Sequence, residues 1–186
     1  MVSLGALWLP VLLSTVFVFV VSAIIHMVLK YHNSDVRQLA NEDAVRAAMR
    51  AGNPAPGMYV TPYCRDMKDM EKPEIKQKFI EGPVAVVYVR APGPASMGPA
   101  LGQWFVFCLA VSFFVAYIAG HVLPAGTPYL SVFRVVGAIA FLAYAAGDVP
   151  AAIWMGKPWG VVAKDVVDGL LYGLVTAGTF GWLWPR

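Results

Sequence analysis

The chain has 186 residues, of which 59% are hydrophobic and only 13% are charged, and its mean hydropathy is +0.63. A soluble domain carries about 25% charged residues, so this composition excludes an ordinary soluble domain and indicates a membrane protein. The net charge of +3 is small, and the basic residues are mixed with acidic ones, which argues against a nucleic-acid partner.

Four apolar segments are long enough to cross a bilayer, since a helix needs about 20 residues to span about 30 Å of hydrocarbon. They predict an all-α membrane protein with four transmembrane helices, at residues 4–30, 98–123, 129–154 and 160–184. The first segment lacks the basic amino-terminal region and the cleavage site of a signal peptide. We therefore expect it to be retained as a helix.

The polar insert between the first two spans, residues 31–97, is predicted to be a small α+β segment. "NEDAVRAAMRAG" and "PEIKQKFIEG" are typical of short helices, the second with Pro73 at its first position and Gly82 as its stop. "GMYVTPY" and "GPVAVVYVR" indicate short strands bounded by Gly and Pro. So small a core is marginal alone, so we expect the insert to lean on the membrane or on a partner.

The distribution of basic residues predicts the orientation. Ten of the 14 Lys and Arg residues lie from Lys30 to Arg90, and two more, Lys157 and Lys164, flank the turn between spans three and four. The turn between spans two and three, "HVLPAGTP", has none. The positive-inside rule therefore predicts a cytoplasmic insert and both termini outside.

Four ionisable residues are expected at the inner ends of spans three and four: Asp148, Lys164, Asp165 and Asp168. Lys164 and Asp168 are four residues apart, so they share a helix face and are predicted to pair. We interpret the set as one charged cluster that anchors the helix ends. The alternative is a proton or ion site, because ionisable groups within a membrane are often functional.

The histidines give no recognisable cofactor site. His26 and His121 are predicted near opposite faces of the bilayer, which disfavours a haem held by two histidines, while a pigment or haem on a single histidine stays open. His32 lies beyond the first span with no evident metal partner. The chain has no HExxH, GxSxG, P-loop or GxGxxG motif, so no catalytic residue and no metal ligand is assigned, and the cofactors stay unknown.

Small residues recur every four positions along span four, at Gly169, Gly173, Ala177 and Gly181. Shorter stripes occur in span two (Ser112, Ala116, Gly120) and span three (Ala143, Gly147, Ala151). Such spacing lets helix backbones approach closely in lipid. It predicts tight packing against another helix, from this chain or from another one.

Three stretches, "IHMVLKYHNSD", "PAPGMYV" and "DGLLYGLVTAGTFGWLWP", resemble a family of small bacterial multi-span membrane proteins with no assigned activity. The resemblance implies the bacterial inner membrane and passes on no functional residue. We expect a non-catalytic accessory or packing subunit of a larger membrane complex. A proton- or ion-coupled carrier is the alternative, and an intramembrane enzyme is the third hypothesis.

Overall fold

The computed structural model describes residues 1–186 and contains four helices long and apolar enough to cross a membrane. A small two-stranded sheet lies in the segment between the first and second of them. The predicted fold class is confirmed on both counts, and the chain is a multi-pass membrane protein. In chain order the elements are α1 (Trp8–Ala23), α2 (Glu42–Ala51), β1 (Gly57–Thr61), α3 (Pro73–Glu81), β2 (Ala85–Val89), α4 (Gly98–Val122), α5 (Tyr129–Ala145), α6 (Asp148–Met155) and α7 (Trp159–Leu183).

The first and third spans are not regular helices throughout. A 3-10 turn, Leu4–Leu7, precedes α1, and a π-helix, Ile24–Leu29, completes the first span. The third span is interrupted between α5 and α6, although the sequence predicts one helix over residues 129–154. Pro150 explains the interruption, because proline has no N–H and its ring clashes with the carbonyl four residues earlier, at Ala146.

The four spans pack as a bundle in which α1 contacts α4 and α7, and α5 contacts the same two helices. The first and last spans of the chain are therefore neighbours. The core between the four spans is mostly apolar, and its fully buried side chains include Val18, Val115, Val136 and Phe180.

The small residues of span four lie against α5. A Cβ added at Gly173 would come within 3.1 Å of the backbone nitrogen of Phe141, and one at Gly169 within 2.8 Å of Ala145 Cβ. At Gly181 a Cβ would meet the ring of Tyr129 at 2.7 Å. The remaining member of the stripe, Ala177, also lies against α5. A Cβ added at Gly137 would be 3.2 Å from the Cβ of Ala177.

The shorter stripes behave differently from each other. Ser112, Ala116 and Gly120 of α4 are buried, and a Cβ at Gly120 would lie 2.7 Å from the carbonyl oxygen of Val2. In span three, Gly147 is exposed and nothing lies within 4 Å of an added Cβ, so this member of the predicted stripe packs against no helix of this chain.

The bundle has two distinct ends. At one end the amide of Val2 donates to Gly120 O at 2.8 Å, and the amide of Gly126 donates to Pro185 O at 2.8 Å. This end therefore holds both termini and the turn between α4 and α5. The other end holds the turn between α6 and α7, and there the chain leaves for the insert and returns from it.

Within the insert, residues 37–95 form a separate compact unit. Its two strands pair antiparallel with Met58 opposite Tyr88 and Val60 opposite Val86. The helices α2 and α3 start and stop where the sequence predicts, with Pro73 in the first turn of α3 and Gly82 after its end at φ +65°.

Candidate functional site

The site begins with an irregular stretch of backbone at the end of the first span. After the π-helix, Lys30 adopts a left-handed conformation with φ 55°, and a 3-10 turn, Tyr31–Ser34, follows. His26 lies in the π-helix and His32 in the turn, and their ring centroids are 4.5 Å apart. On a regular α-helix, residues six positions apart point about 120° away from each other. The irregular backbone is thus what places the two rings together.

Both rings face Asp168, which α7 brings to the same end of the bundle. The Nε2 atom of His32 lies 2.9 Å from Asp168 Oδ2, and the Nε2 atom of His26 lies 3.6 Å from the same oxygen. The hydroxyl of Tyr31 donates to the other carboxylate oxygen, Oδ1. Asp168 is 4% exposed, so this carboxylate is inside the protein and depends on these contacts.

A second layer of contacts holds His32 in place. Its Nδ1 atom lies 2.6 Å from Asp35 Oδ2, and the Lys164 ammonium donates to Asp35 Oδ1. Lys164 also donates to the carbonyl of Tyr31 and the hydroxyl of Ser34, each at 2.8 Å. Because Lys164 donates a hydrogen bond to Asp35, the pKa of that carboxyl lies below its ordinary value. Asp35 is therefore an ionised acceptor, and His32 Nδ1 is the donor.

A separate network lies at the turn before α7. Lys157 Nζ lies 2.5 Å from Asp148 Oδ1 and 2.7 Å from Asp165 Oδ2. Burial acts to lower the pKa of Lys157, but hydrogen bonding to the two carboxylates and their negative charge together outweigh burial and raise the pKa above its ordinary value. The three groups form one ion-paired set.

The four charged residues predicted as one cluster are thus divided between two networks. Asp148 and Asp165 pair with Lys157, whereas Lys164 and Asp168 belong to the histidine site. Lys164 and Asp168 do not pair with each other, contrary to the sequence expectation. The physical reason is the turn after the first span, which supplies a closer partner to each of them.

The three histidines also separate. His121 lies at the other end of the bundle, where its Nδ1 atom is 2.6 Å from the carbonyl of Tyr117, and it takes no part in the site. His32, for which the sequence shows no metal partner, lies beside His26 and Asp168. The ligand atoms of these three residues all lie within 4.8 Å of one another, so this set could hold a metal ion.

Polar and aromatic side chains continue from the site into the core. Tyr172, one helical turn beyond Asp168, packs edge-on against Tyr144 with ring centroids 5.5 Å apart. Both hydroxyls are buried without a hydrogen-bond partner. The indole of Trp104 packs on both tyrosines and donates to Ser22 Oγ at 2.8 Å. Sequence reasoning noted Tyr172 but could not place the other three beside it.

The insert offers a different kind of candidate surface. None of its residues, from 37 to 95, is buried, although it carries large apolar side chains. Met58 and Tyr88 are 55% and 66% exposed, and as opposed residues in the ladder they share one face of the sheet. The outer edges of the two-stranded sheet also carry unpaired backbone groups.

No protein-family model matches the chain, and no curated protein or solved structure matches it significantly.

Proposed function

We propose that the protein is a non-catalytic accessory subunit of a larger complex in the bacterial inner membrane, and that its insert binds a partner chain. The observation that carries this proposal is the absence of any buried residue in the insert. A segment of about 60 residues is stable only when it buries apolar surface, and this one leaves its apolar side chains uncovered. A protein partner would supply the missing half of the core.

One face of the sheet is the proposed contact surface, which we call the Met58–Tyr88 face. Met58 and Tyr88 lie directly opposite each other, with Val60 and Val86 beside them on the same side. On the reverse side the hydroxyl of Tyr59 donates to the carbonyl of Ala55 at 2.8 Å, so that face already has a local contact. The asymmetry favours the Met58–Tyr88 face for a partner.

The test is purification from native membranes in mild detergent, with identification of the chains that remain bound. The double variant Met58→Ser/Tyr88→Ser should lose a partner that the wild type retains. Tyr59→Ser/Val87→Ser changes an opposed pair on the reverse face and should keep it. A chain that purifies alone, or a partner lost equally from both variants, would contradict the proposal.

A proton- or ion-coupled carrier is the second candidate, and the unpaired hydroxyls favour it. Asp168 is buried within span four, and beyond it the hydroxyls of Tyr172 and Tyr144 have no partner. Reconstitution into liposomes with a pH-sensitive dye separates the two candidates. The accessory role predicts no proton flux, whereas flux that Asp168→Asn abolishes in a folded protein would favour the carrier.

A further inference from the structure

We propose that His26, His32 and Asp168 bind one divalent first-row transition-metal ion, through the two Nε2 atoms and Oδ2. This site is independent of the accessory role, since none of its residues lies in the compact unit of residues 37–95 that carries the proposed partner surface. It goes beyond the charged anchor that the sequence suggests, because that interpretation uses neither histidine.

The spacing of the three ligand atoms fits such an ion. In a tetrahedral site with metal–ligand bonds of about 2.0–2.2 Å, neighbouring ligand atoms are about 3.3–3.6 Å apart. The distances from Asp168 Oδ2 to the two Nε2 atoms, 2.9 and 3.6 Å, lie below that range and at its upper end, and the ligand nitrogens of the two histidines lie within 4.8 Å of each other. Small movements of the rings, one of which is half exposed, would complete the geometry.

The contacts around the ligands are those of a built site. A histidine that binds a metal usually donates its other ring N–H to a carboxylate or carbonyl, which orients the ring and raises the basicity of the ligating nitrogen. His32 makes this contact with Asp35, and Lys164 holds Asp35 in turn. Asp168 is oriented by Tyr31. Both the histidine and the carboxylate are thus positioned by neighbours that leave the ligand atoms facing one another.

The chemistry of the donor set selects the ion. Two imidazole nitrogens disfavour Mg²⁺ and Ca²⁺, which prefer oxygen ligands, and suit zinc, iron, cobalt or nickel. Three protein ligands also leave at least one coordination position for water or another small ligand, as in catalytic zinc sites. His26 also lines a cavity of about 280 Å³ between the first span and α4, with Phe19, Met27 and Trp104.

Zinc binding to the full-length protein tests the proposal. Protein purified in detergent is stripped with a chelator and titrated with Zn²⁺, with stoichiometry from elemental analysis and affinity from competition with a chromogenic chelator. We expect one ion per chain. His26→Gln, His32→Gln and Asp168→Asn should each weaken binding at least tenfold, and Asp35→Asn about 10–100-fold as a supporting residue. His121→Gln, which changes the histidine outside the site, should leave the affinity unchanged.

His26→Gln decides the case if the more buried variants fail to fold. His26 is half exposed and makes no hydrogen bond in the site, so its replacement should leave the melting temperature of the stripped protein unchanged. Zn²⁺ should raise the melting temperature of the wild type and not of this variant. Absence of zinc binding by the wild type, or binding equal in the wild type and His26→Gln, would overturn the proposal. The cluster would then be a set of structural hydrogen bonds between the turn and α7.

Discussion

At the scale of single residues, Lys164 illustrates how the charged groups at the insert end of the bundle are paired. Lys164 ends its side chain among three acceptors, Tyr31 O, Ser34 Oγ and Asp35 Oδ1. Removing one member of such a set leaves the others with unmet hydrogen bonds, which costs more than the bond itself contributed. Lys164 therefore ties the turn after the first span to the start of α7.

A double-mutant cycle can measure this tie. Lys164→Ala should destabilise the protein more strongly when Asp35 is present than in an Asp35→Asn background, because only then is an acid left unpaired. The same cycle with Asp165→Asn should be additive, since Asp165 pairs with Lys157. Melting in detergent is the measurement. Strong coupling to Asp165 and none to Asp35 would contradict the observed pairing.

Lys157 gives an expectation for alkaline pH. Its pKa is raised in the folded protein, so its ammonium contributes stability that is fully present below the ordinary lysine pKa of about 10.4 and is lost as the pH rises through the raised value. From about pH 10.4 to about pH 12, the wild type should lose more stability than Lys157→Gln. The difference should be about 0.2–1 kcal/mol, because the pair is partly exposed. Equal slopes for the two proteins would show that the ion pair contributes nothing, and Lys78→Gln serves as the control for a lysine outside the network.

At the scale of the helices, the close contact between α5 and α7 depends on missing side chains. Gly173→Leu places side-chain atoms where the backbone of Phe141 lies. A backbone cannot relieve the clash by changing rotamer, as a side chain can. We expect a loss of about 1–3 kcal/mol or more in stability. Leu174→Ile, at the exposed neighbouring position, should change it little. Equal melting of the two variants would show that the helices tolerate separation at this point.

The regular parts of these elements follow from local patterns in the sequence, and the irregular parts do not. Apolar length predicts the four spans, and Pro73 with Gly82 predicts the ends of α3, because each signal acts within a few residues. The left-handed turn at Lys30 has no such signal, since lysine rarely adopts a positive φ. The candidate site depends on that turn. His26 and His32 therefore look unrelated in a sequence read as a helix followed by a loop.

At the scale of the whole molecule, both termini and the turn between α4 and α5 lie at one end of the bundle, and the connections to the insert lie at the other. This arrangement agrees with the alternation of sides that four crossings require. We predict that the end with the connections to the insert faces the cytoplasm, because ten basic residues lie from Lys30 to Arg90.

Single-cysteine labelling in intact cells tests the orientation. In a background with Cys64 and Cys108 replaced, a cysteine at Ala125, in the turn between α4 and α5, should react with an impermeant reagent. A cysteine at Ser96, where the chain returns from the insert, should react only after the membrane is opened. Both positions are exposed, so burial does not decide the result. The reverse pattern would invert the proposed topology.

Asp168 shows why the candidate site could be predicted only in part. Its place in span four identifies it as a costly intramembrane acid that needs a partner, and the nearest basic residue on its helix face is Lys164. The partners it has, Tyr31 and His32, lie more than 130 residues away in the chain. Contacts over such separations depend on how the helices pack. The spacing of residues within one helix does not indicate that packing.

The contact between the first and last spans has a consequence for biosynthesis. The first span and the turn after it, with the two histidines, leave the ribosome long before α7 carries Asp168 into the membrane. The third span, with α5, is made just before α7 and packs against the small residues of α7 only once that helix has been made. Until then the nascent chain has three spans. The face of α5 that α7 later covers is still open, and the two histidines have no carboxylate beside them. The site is therefore completed in a late step of synthesis, and it marks chains whose last helix has inserted. A chain that ends before α7 would leave this face of α5 exposed, where the quality-control proteases of the membrane can recognise it.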